Sequence, residues 1–380
     1  MSSSAPLRKI ASNYLWSHGE FLPHPLVEMD ADGRVISVST CEGVDSREGV
    51  EFYAGILLPA FVNVHCHLEL SYLKGAIPEG TGFAGFARAM GEVRGQFSED
   101  ERRQTMLAAD AKMWHEGIGG VGDIANGNTS FVVKAQSKID YHTFVEVFGL
   151  RNNALAAQRE LLCFPHTSLT PHSIYSVQDA PFRAICAEGT EPLSIHFMES
   201  PAEGELFLRR GELWSWYRKV GFECDFLTYG SPAERIVKSV PRNRSVILVH
   251  NCCVTQCDID RIMNHFTAPV YWCLCPASNH YISRLQPPVE LLRHNHLNIC
   301  LGTDSLASSR SLSVLDLLRR LPHVPLAERI GWATDGGAKA LGMNELGTVE
   351  EGKQCGLSVL SGLDYSTMSL TSGTQIRRLL

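Results

Sequence analysis

The sequence contains no run of about 18 apolar residues, so no membrane-spanning helix is expected. Its first residues, MSSSAPLRKIASNYLW, lack an apolar stretch of signal-peptide length, which points to a cytoplasmic protein. Positive charge is in deficit: 34 Lys and Arg stand against 41 Asp and Glu, a net charge of −7. A nucleic-acid binder or a polybasic membrane-surface protein needs the opposite balance, and neither partner is expected. No internal repeat, heptad or low-complexity segment appears, so nothing supports a scaffold role. The twelve cysteines are not spaced as a disulfide framework. Cys273, Cys275 and Cys300 lie inside apolar runs and read as small buried hydrophobes. Cys252, Cys253 and Cys257 resemble half a zinc knuckle, but no second Cys or His pair follows at suitable spacing. What remains is ample apolar material: 44 % hydrophobic residues over 380 positions, enough for a large core.

Both ends of the chain read as β-rich. MDADGRVISVST carries an Asp-Gly turn followed by alternation, and GTVEEGKQCGLSVLSG ends in a short apolar strand. Between them eight short apolar runs recur: FVNVHCH, IGGVGDI, HTFVEVFGL, TSLTPHS, LSIHFME, SVILVHN, VYWCLCP and NICLGTD. Such runs suit strands buried on both faces of a parallel sheet. Helix-like stretches separate them. Ser98 caps an acidic first turn before RRQTMLAADAKMWHEG, and VQDAPFRAICAEG and AEGELFLRRGELWSWYRKVG are similar. The expected fold is α/β: a TIM-type (β/α)8 barrel over residues 59–344, with a small β-sandwich from residues 1–58 and 345–380. In such barrels chemistry sits at the carboxyl ends of the strands. Those ends carry His65, His67, Asp123, His172, His196, Glu199, His250, Ser278, Asn279 and Asp304.

His65 and His67 are two apart, so on an extended strand both imidazoles face one side. Alone the pair also fits a solvated loop. His196 closes the fifth run and Asp304 the eighth; singly they fit a core histidine and a helix cap. Together, three imidazoles and a carboxylate on one rim suit Zn²⁺ or Fe²⁺. Glu199, three residues past His196, can face a substrate beside the ion or open a surface loop. His250 can hold a water, orient a substrate, or bond within the core. His172 can donate to a substrate heteroatom.

FVNVHCHLELS, TPHSIYS, IHFMES, LVHN, CPASN and LGTDSLAS occur in that order, and the chain so resembles the amidohydrolase superfamily over roughly residues 55 to 360. It is most similar to the aminohydrolases and chlorohydrolases, which include guanine, adenosylhomocysteine and aminodeoxyfutalosine deaminases. The resemblance implies that His65, His67, His196 and Asp304 hold one divalent metal, with Glu199 and His250 working beside it. The fourth run, TSLTPHS, has no lysine to bridge two metals, so a mononuclear site is expected. The C-terminal segment is short, and CGLSVL stands where the family's ADLVVL strand is usual. The implied reaction is hydrolytic: water, its pKa lowered from 15.7 toward about 7 by the metal, attacks a ring carbon bearing an amino group. Asp304 then acts as ligand and base, His250 aligns the attack, Glu199 protonates the ring nitrogen, and ammonia leaves. The expected substrate is an amino-substituted N-heterocycle, first of all a 6-aminopurine nucleoside. Phe83, Phe86 and Arg88 are pocket-wall candidates, although helix packing explains the phenylalanines equally well. Two alternatives stay open: hydrolysis of a cyclic amide, imine or halogenated ring by the same water, and a catalytically silent ligand-binding barrel. A homodimer is expected only by analogy with similar proteins.

Overall fold

The computed structural model describes residues 8–40, 49–151 and 154–380. Its strands, in chain order, are β1 (Arg8–Ser17), β2 (Glu20–Pro23), β3 (Pro25–Met29), β4 (Val35–Thr40), β5 (Val50–Pro59), β6 (Phe61–Cys66), β7 (Ile118–Ala125), β8 (Asp140–Val147), β9 (Thr167–Pro171), β10 (Leu193–Phe197), β11 (Val246–His250), β12 (Val270–Leu274), β13 (Asn298–Leu301), β14 (Leu357–Ser361) and β15 (Gln375–Arg378).

The β-rich ends meet in one seven-stranded sheet, ordered β15-β14-β5-β1-β3-β4, with β2 on β1. The Asp-Gly turn closes the β3–β4 hairpin: Asp30 Oδ1 accepts from the backbone N–H of Asp32 and Arg34, and Gly33 takes φ +80°. The short C-terminal segment, which ends in TQIRRLL, supplies one more strand, β15. β15 pairs antiparallel with β14, and β14 with β5, placing Leu357 opposite Pro59. Ile10, Leu15, Val27, Met29, Leu57, Leu357 and Val359 pack into this sheet's own apolar cluster.

The chain leaves β5 at Pro59 and enters β6 at Phe61. From there eight strands run parallel in two ladders, β6-β7-β8-β9 and β10-β11-β12-β13. Single bridges join the ladders at both seams, Ser173 to His196 and Cys66 to Asp304. His196 N–H donates to the His172 carbonyl at 3.0 Å, and Asp304 N–H to the His65 carbonyl at 2.9 Å. The cylinder is thus a closed TIM-type barrel, and its two thinnest seams run through the metal candidates.

Inside, Val62, Val64, Ile124, Phe144, Ile247, Val249, Cys273 and Cys300 fill the barrel. The glycines of IGGVGDI allow the close approach this needs. A Cβ on Gly122 would stand 2.3 Å from the Val64 carbonyl oxygen and 2.9 Å from Leu341. Gly122→Ala is expected to destabilise the fold by about 1–3 kcal/mol, because backbone must move to admit the methyl. Urea denaturation measures it, and an unchanged midpoint would show that β7 has slack.

The helices follow their caps. Ser98 and Glu101 form a capping box at the start of helix Glu99–His115, satisfying two otherwise free N–H groups. The stretch AEGELFLRRGELWSWYRKVG is not one helix but two, Pro201–Phe207 and Gly211–Val220. Arg209 and Gly211 both take positive φ, and Glu205 packs where a Gly211 Cβ would lie, so the chain reverses there. Among the described residues no helix is long and apolar enough to cross a membrane.

Candidate metal centre and active site

His65 and His67 leave the end of β6 on the same side, as their spacing predicts. Their Nε2 atoms are 3.1 Å apart. Asp304, just past β13, brings Oδ1 to 3.3 Å from His67 Nε2 and 3.8 Å from His65 Nε2. His196 on β10 completes the set, and one ligand atom from each histidine lies within 4.8 Å of the others. His196 Nδ1 donates to the His172 carbonyl at 2.8 Å, so its proton sits there and Nε2 is the bare nitrogen. Gly302 in LGTD makes room for this packing, since a Cβ there would come 2.7 Å from His65 Cβ. Asp304 is not a helix cap: it has φ +59°, and its Oδ2 accepts from Ser278 and Ser308. The next helix begins at Val314, after Ser313.

Glu199 and His250 sit beside this cluster, with Glu199 Oε2 3.8 Å from His250 Nε2. The Asn279 amide nitrogen lies 3.0 Å from His250 Nδ1, which places the ring proton on Nε2, toward Glu199. Met198, His250, Asn251 and Asp304 all hold left-handed backbone, a conformation side-chain-bearing residues adopt only when their surroundings impose it. Glu203 imposes part of it, accepting from the Met198 N–H at 2.8 Å and the Glu199 N–H at 2.6 Å. His172 stacks on His196 at 4.4 Å, with its Nδ1 turned to Ser176. Tyr175 faces His172 edge-on, and Phe83 from helix Gly82–Val93 packs edge-on against Tyr175. Phe83 therefore stands near the site. Phe86 packs outward with the cluster around Tyr72, and Arg88 is exposed.

Burial decides the protonation of the cluster. It depresses His65 and His196, takes His67 down to about 4, and lowers His250, so at neutral pH all four rings are uncharged. Neutral imidazole is the metal-binding form. Asp304 runs the other way: burial pushes it up, but the facing imidazoles and the Ser278 hydroxyl outweigh that and hold it below the ordinary carboxylate range. Burial, with Asp304 and Glu203 nearby, pushes Glu199 well up, which favours its protonated form. Three bare imidazole nitrogens and one ionised carboxylate, converging in a water-poor pocket, fit a four-ligand divalent-metal site.

The family model described as Amidohydrolase family matches residues 56–375. The chain belongs to the amidohydrolase family. An adenosine deaminase from Helicobacter pylori is 28 % identical over 330 residues, covering 81 % of this chain and 79 % of that protein. A 5-methylthioadenosine/S-adenosylhomocysteine deaminase from Halobacterium salinarum is 26 % identical, covering 91 % and 81 %. Among solved structures, Helicobacter pylori aminofutalosine deaminase with methylthio-coformycin superposes with a TM-score of 0.80 at 25 % identity, over 96 % of this chain and 93 % of that one. A zinc complex of atrazine chlorohydrolase from Arthrobacter aurescens reaches 0.72 at 19 % identity, over 92 % and 86 %, a likeness of fold.

Within this amidohydrolase barrel, His65, His67, His172, His196, Glu199, His250 and Asp304 lie at one mouth. Cys252, Cys253 and Cys257 are not among the groups placed to share an ion among the described residues. Cys273, Cys275 and Cys300 are buried free thiols. Three polar side chains escaped the sequence reading of the site. Glu146 lies inside the third apolar run, where a lone acid was the only signal. Asn126 follows β7 and donates to Glu146 Oε2 at 2.6 Å. Lys134, from helix Phe131–Lys134, pairs with Asp123 at 2.5 Å, both side chains almost wholly buried. Asp123 Oδ1 accepts from the Leu68 N–H at 2.7 Å and so fixes the turn that follows His67. Lys134→Met is expected to cost about 3–5 kcal/mol, because it leaves a buried carboxylate unpaired. Adding Asp123→Asn should recover part of the loss in a urea titration; equal stability of Lys134→Met and wild type would show the pair to be irrelevant.

Proposed function

We propose that this amidohydrolase is a metal-dependent hydrolytic deaminase of an amino-substituted N-heterocycle, with a 6-aminopurine nucleoside of the adenosine, adenosylhomocysteine or aminodeoxyfutalosine type as its substrate class. The carrying observation is the placement of three neutral imidazoles and Asp304 beside the Glu199–His250 pair. The deaminase names of its relatives support the same class.

His65, His67, His196 and Asp304 would hold one divalent ion, Zn²⁺ by donor set, with Fe²⁺ the second choice. When bound, the ion supplies a water activated for attack at neutral pH. Asp304 would take the proton that water loses, at Oδ1, since Ser278 and Ser308 keep Oδ2 occupied. Glu199, held protonated by burial, gives its proton to the ring nitrogen next to the attacked carbon. His250 Nε2 steadies the incoming oxygen; the proton held by Asp304 passes to the amine, which leaves as ammonia, and the ionised Glu199 takes the remaining hydroxyl proton as the C–N bond breaks and the carbonyl forms. His172 Nε2 contacts a substrate heteroatom. We assign residues 59–344 to the catalytic domain and 1–58 with 345–380 to a smaller sandwich domain. We place the protein in the cytoplasm and expect a homodimer, which light scattering on the purified chain would test.

Ammonia release across aminopurine nucleosides, free bases, aminopyrimidines, triazines and cyclic amides tests the reading. Release from 6-aminopurine nucleosides above all others is expected. Hydrolysis of triazines or cyclic amides with every aminopurine inert would overturn it.

A further inference from the structure

Glu146 stands on β8 at the barrel mouth and is 3 % exposed. Its Oε2 is engaged by the Asn126 side chain. Asn126 is itself held, its N–H by Glu69 Oε2 at 2.9 Å and its carbonyl by Gln158 at 2.9 Å. Glu146 Oε1 has no hydrogen-bond partner. Its ionisable neighbour, His196 Nδ1, is 3.8 Å away and already donates to the His172 carbonyl. A buried carboxyl oxygen with free lone pairs thus faces the cluster, rimmed by exposed Asn126, partly exposed His172 and exposed Phe148, whose ring lies 5.0 Å from His172.

Glu146, His172 and His196 have ligand atoms within 4.8 Å of one another, which invites a second metal. The hydrogen bonding argues against it. His196 has one nitrogen protonated and the other turned to the first cluster, leaving two ligands where a zinc-type site needs four. A neutral hydroxyl from the substrate fits better. Oε2 is taken by Asn126, and burial pushes the Glu146 carboxyl up to about 8, so Oε1 is left to share a hydrogen bond with a hydroxyl, as acceptor when bare and as donor when protonated.

We propose that Glu146 is a substrate-binding residue that shares a hydrogen bond with a sugar hydroxyl, so that the site selects nucleosides over free bases. The inference rests on the aminopurine reading above. Substrate would lie with its amino-bearing carbon over the histidine cluster, near Glu199 and His250, and its sugar toward β8. A site built to bond a hydroxyl discriminates against analogues without it, because its own buried polar oxygen is then left unpaired.

The test uses zinc-loaded wild type, Glu146→Ala and Glu146→Gln with adenosine, 2′-deoxyadenosine, 3′-deoxyadenosine and adenine, read as ammonia release. In wild type, one deoxy analogue should fall in kcat/KM by at least about tenfold, mainly through KM. In Glu146→Ala that preference should vanish, with losses concentrated on substrates carrying the hydroxyl. Glu146→Gln, which keeps the shape, guards against misfolding and should fall between. Metal content should match wild type in both variants. Equal losses on all four substrates, or loss of metal, would overturn the role of Glu146 while leaving the deaminase reading intact. A wild type inert toward all four, and toward adenosylhomocysteine and aminodeoxyfutalosine as well, refutes the aminopurine reading and this inference with it.

Discussion

Asp304→Asn is expected to lose the metal and, with it, turnover by roughly 10³-fold or more, since the ion contributes several kcal/mol to such reactions. The substitution is nearly isosteric, so packing is not at issue. What changes is charge and donor count. Asp304 is the only anionic member of the ligand set, facing His67 at 3.3 Å and His65 at 3.8 Å. An amide in its place offers a weaker ligand and turns an N–H toward the Ser278 or Ser308 hydroxyl. A chelator should reproduce the loss in wild type, and added Zn²⁺ should reverse it there but poorly in the variant. Atomic spectroscopy on both proteins, beside ammonia release, makes the comparison. Metal-free protein that turns over at the wild-type rate would remove the basis of the mechanism.

Glu199→Gln is expected to retain the metal and lose about 10²- to 10⁴-fold in kcat, the range for a residue that shuttles protons. The geometry separates this effect from the previous one. Glu199 is not in the histidine cluster; it faces His250 Nε2 at 3.8 Å, and its backbone is held by Glu203. Burial raises its pKa, so the protonated form persists above the ordinary carboxylate range. As acid it should be active on the low-pH side of that raised value and fail as pH climbs through it. Glutamine copies the shape and neutrality of the protonated carboxyl but cannot release the proton. KM should therefore change little while kcat collapses, and the high-pH fall-off in kcat should disappear from what activity remains. Wild-type turnover in a metal-replete Glu199→Gln sample refutes the assignment.

Much of this site was legible from residue order. His65 and His67 announced themselves by spacing, and His196, His250 and Asp304 by closing apolar runs. The less visible parts have a common cause. Lys134 and Asn126 come from loops and a one-turn helix, where no periodicity marks a side chain as inward. Glu146 sits within a strand whose apolar pattern hides it. The break between helices Pro201–Phe207 and Gly211–Val220 was missed because Arg209, an ordinary helix former, adopts positive φ only under local packing.

Strand count, the barrel, and which residue types crowd its carboxyl rim were determined by the sequence alone, because period and run length are local properties of the chain. The tertiary structure decided what those residues can do. Closure at the seams sets His65 against Asp304 and His172 against His196, and burial strips the imidazoles of charge while leaving Asp304 ionised. The His65–Asp304 seam depends on a contact between positions more than two hundred residues apart, and the loss of charge on solvent exclusion by the whole fold, which no local pattern encodes.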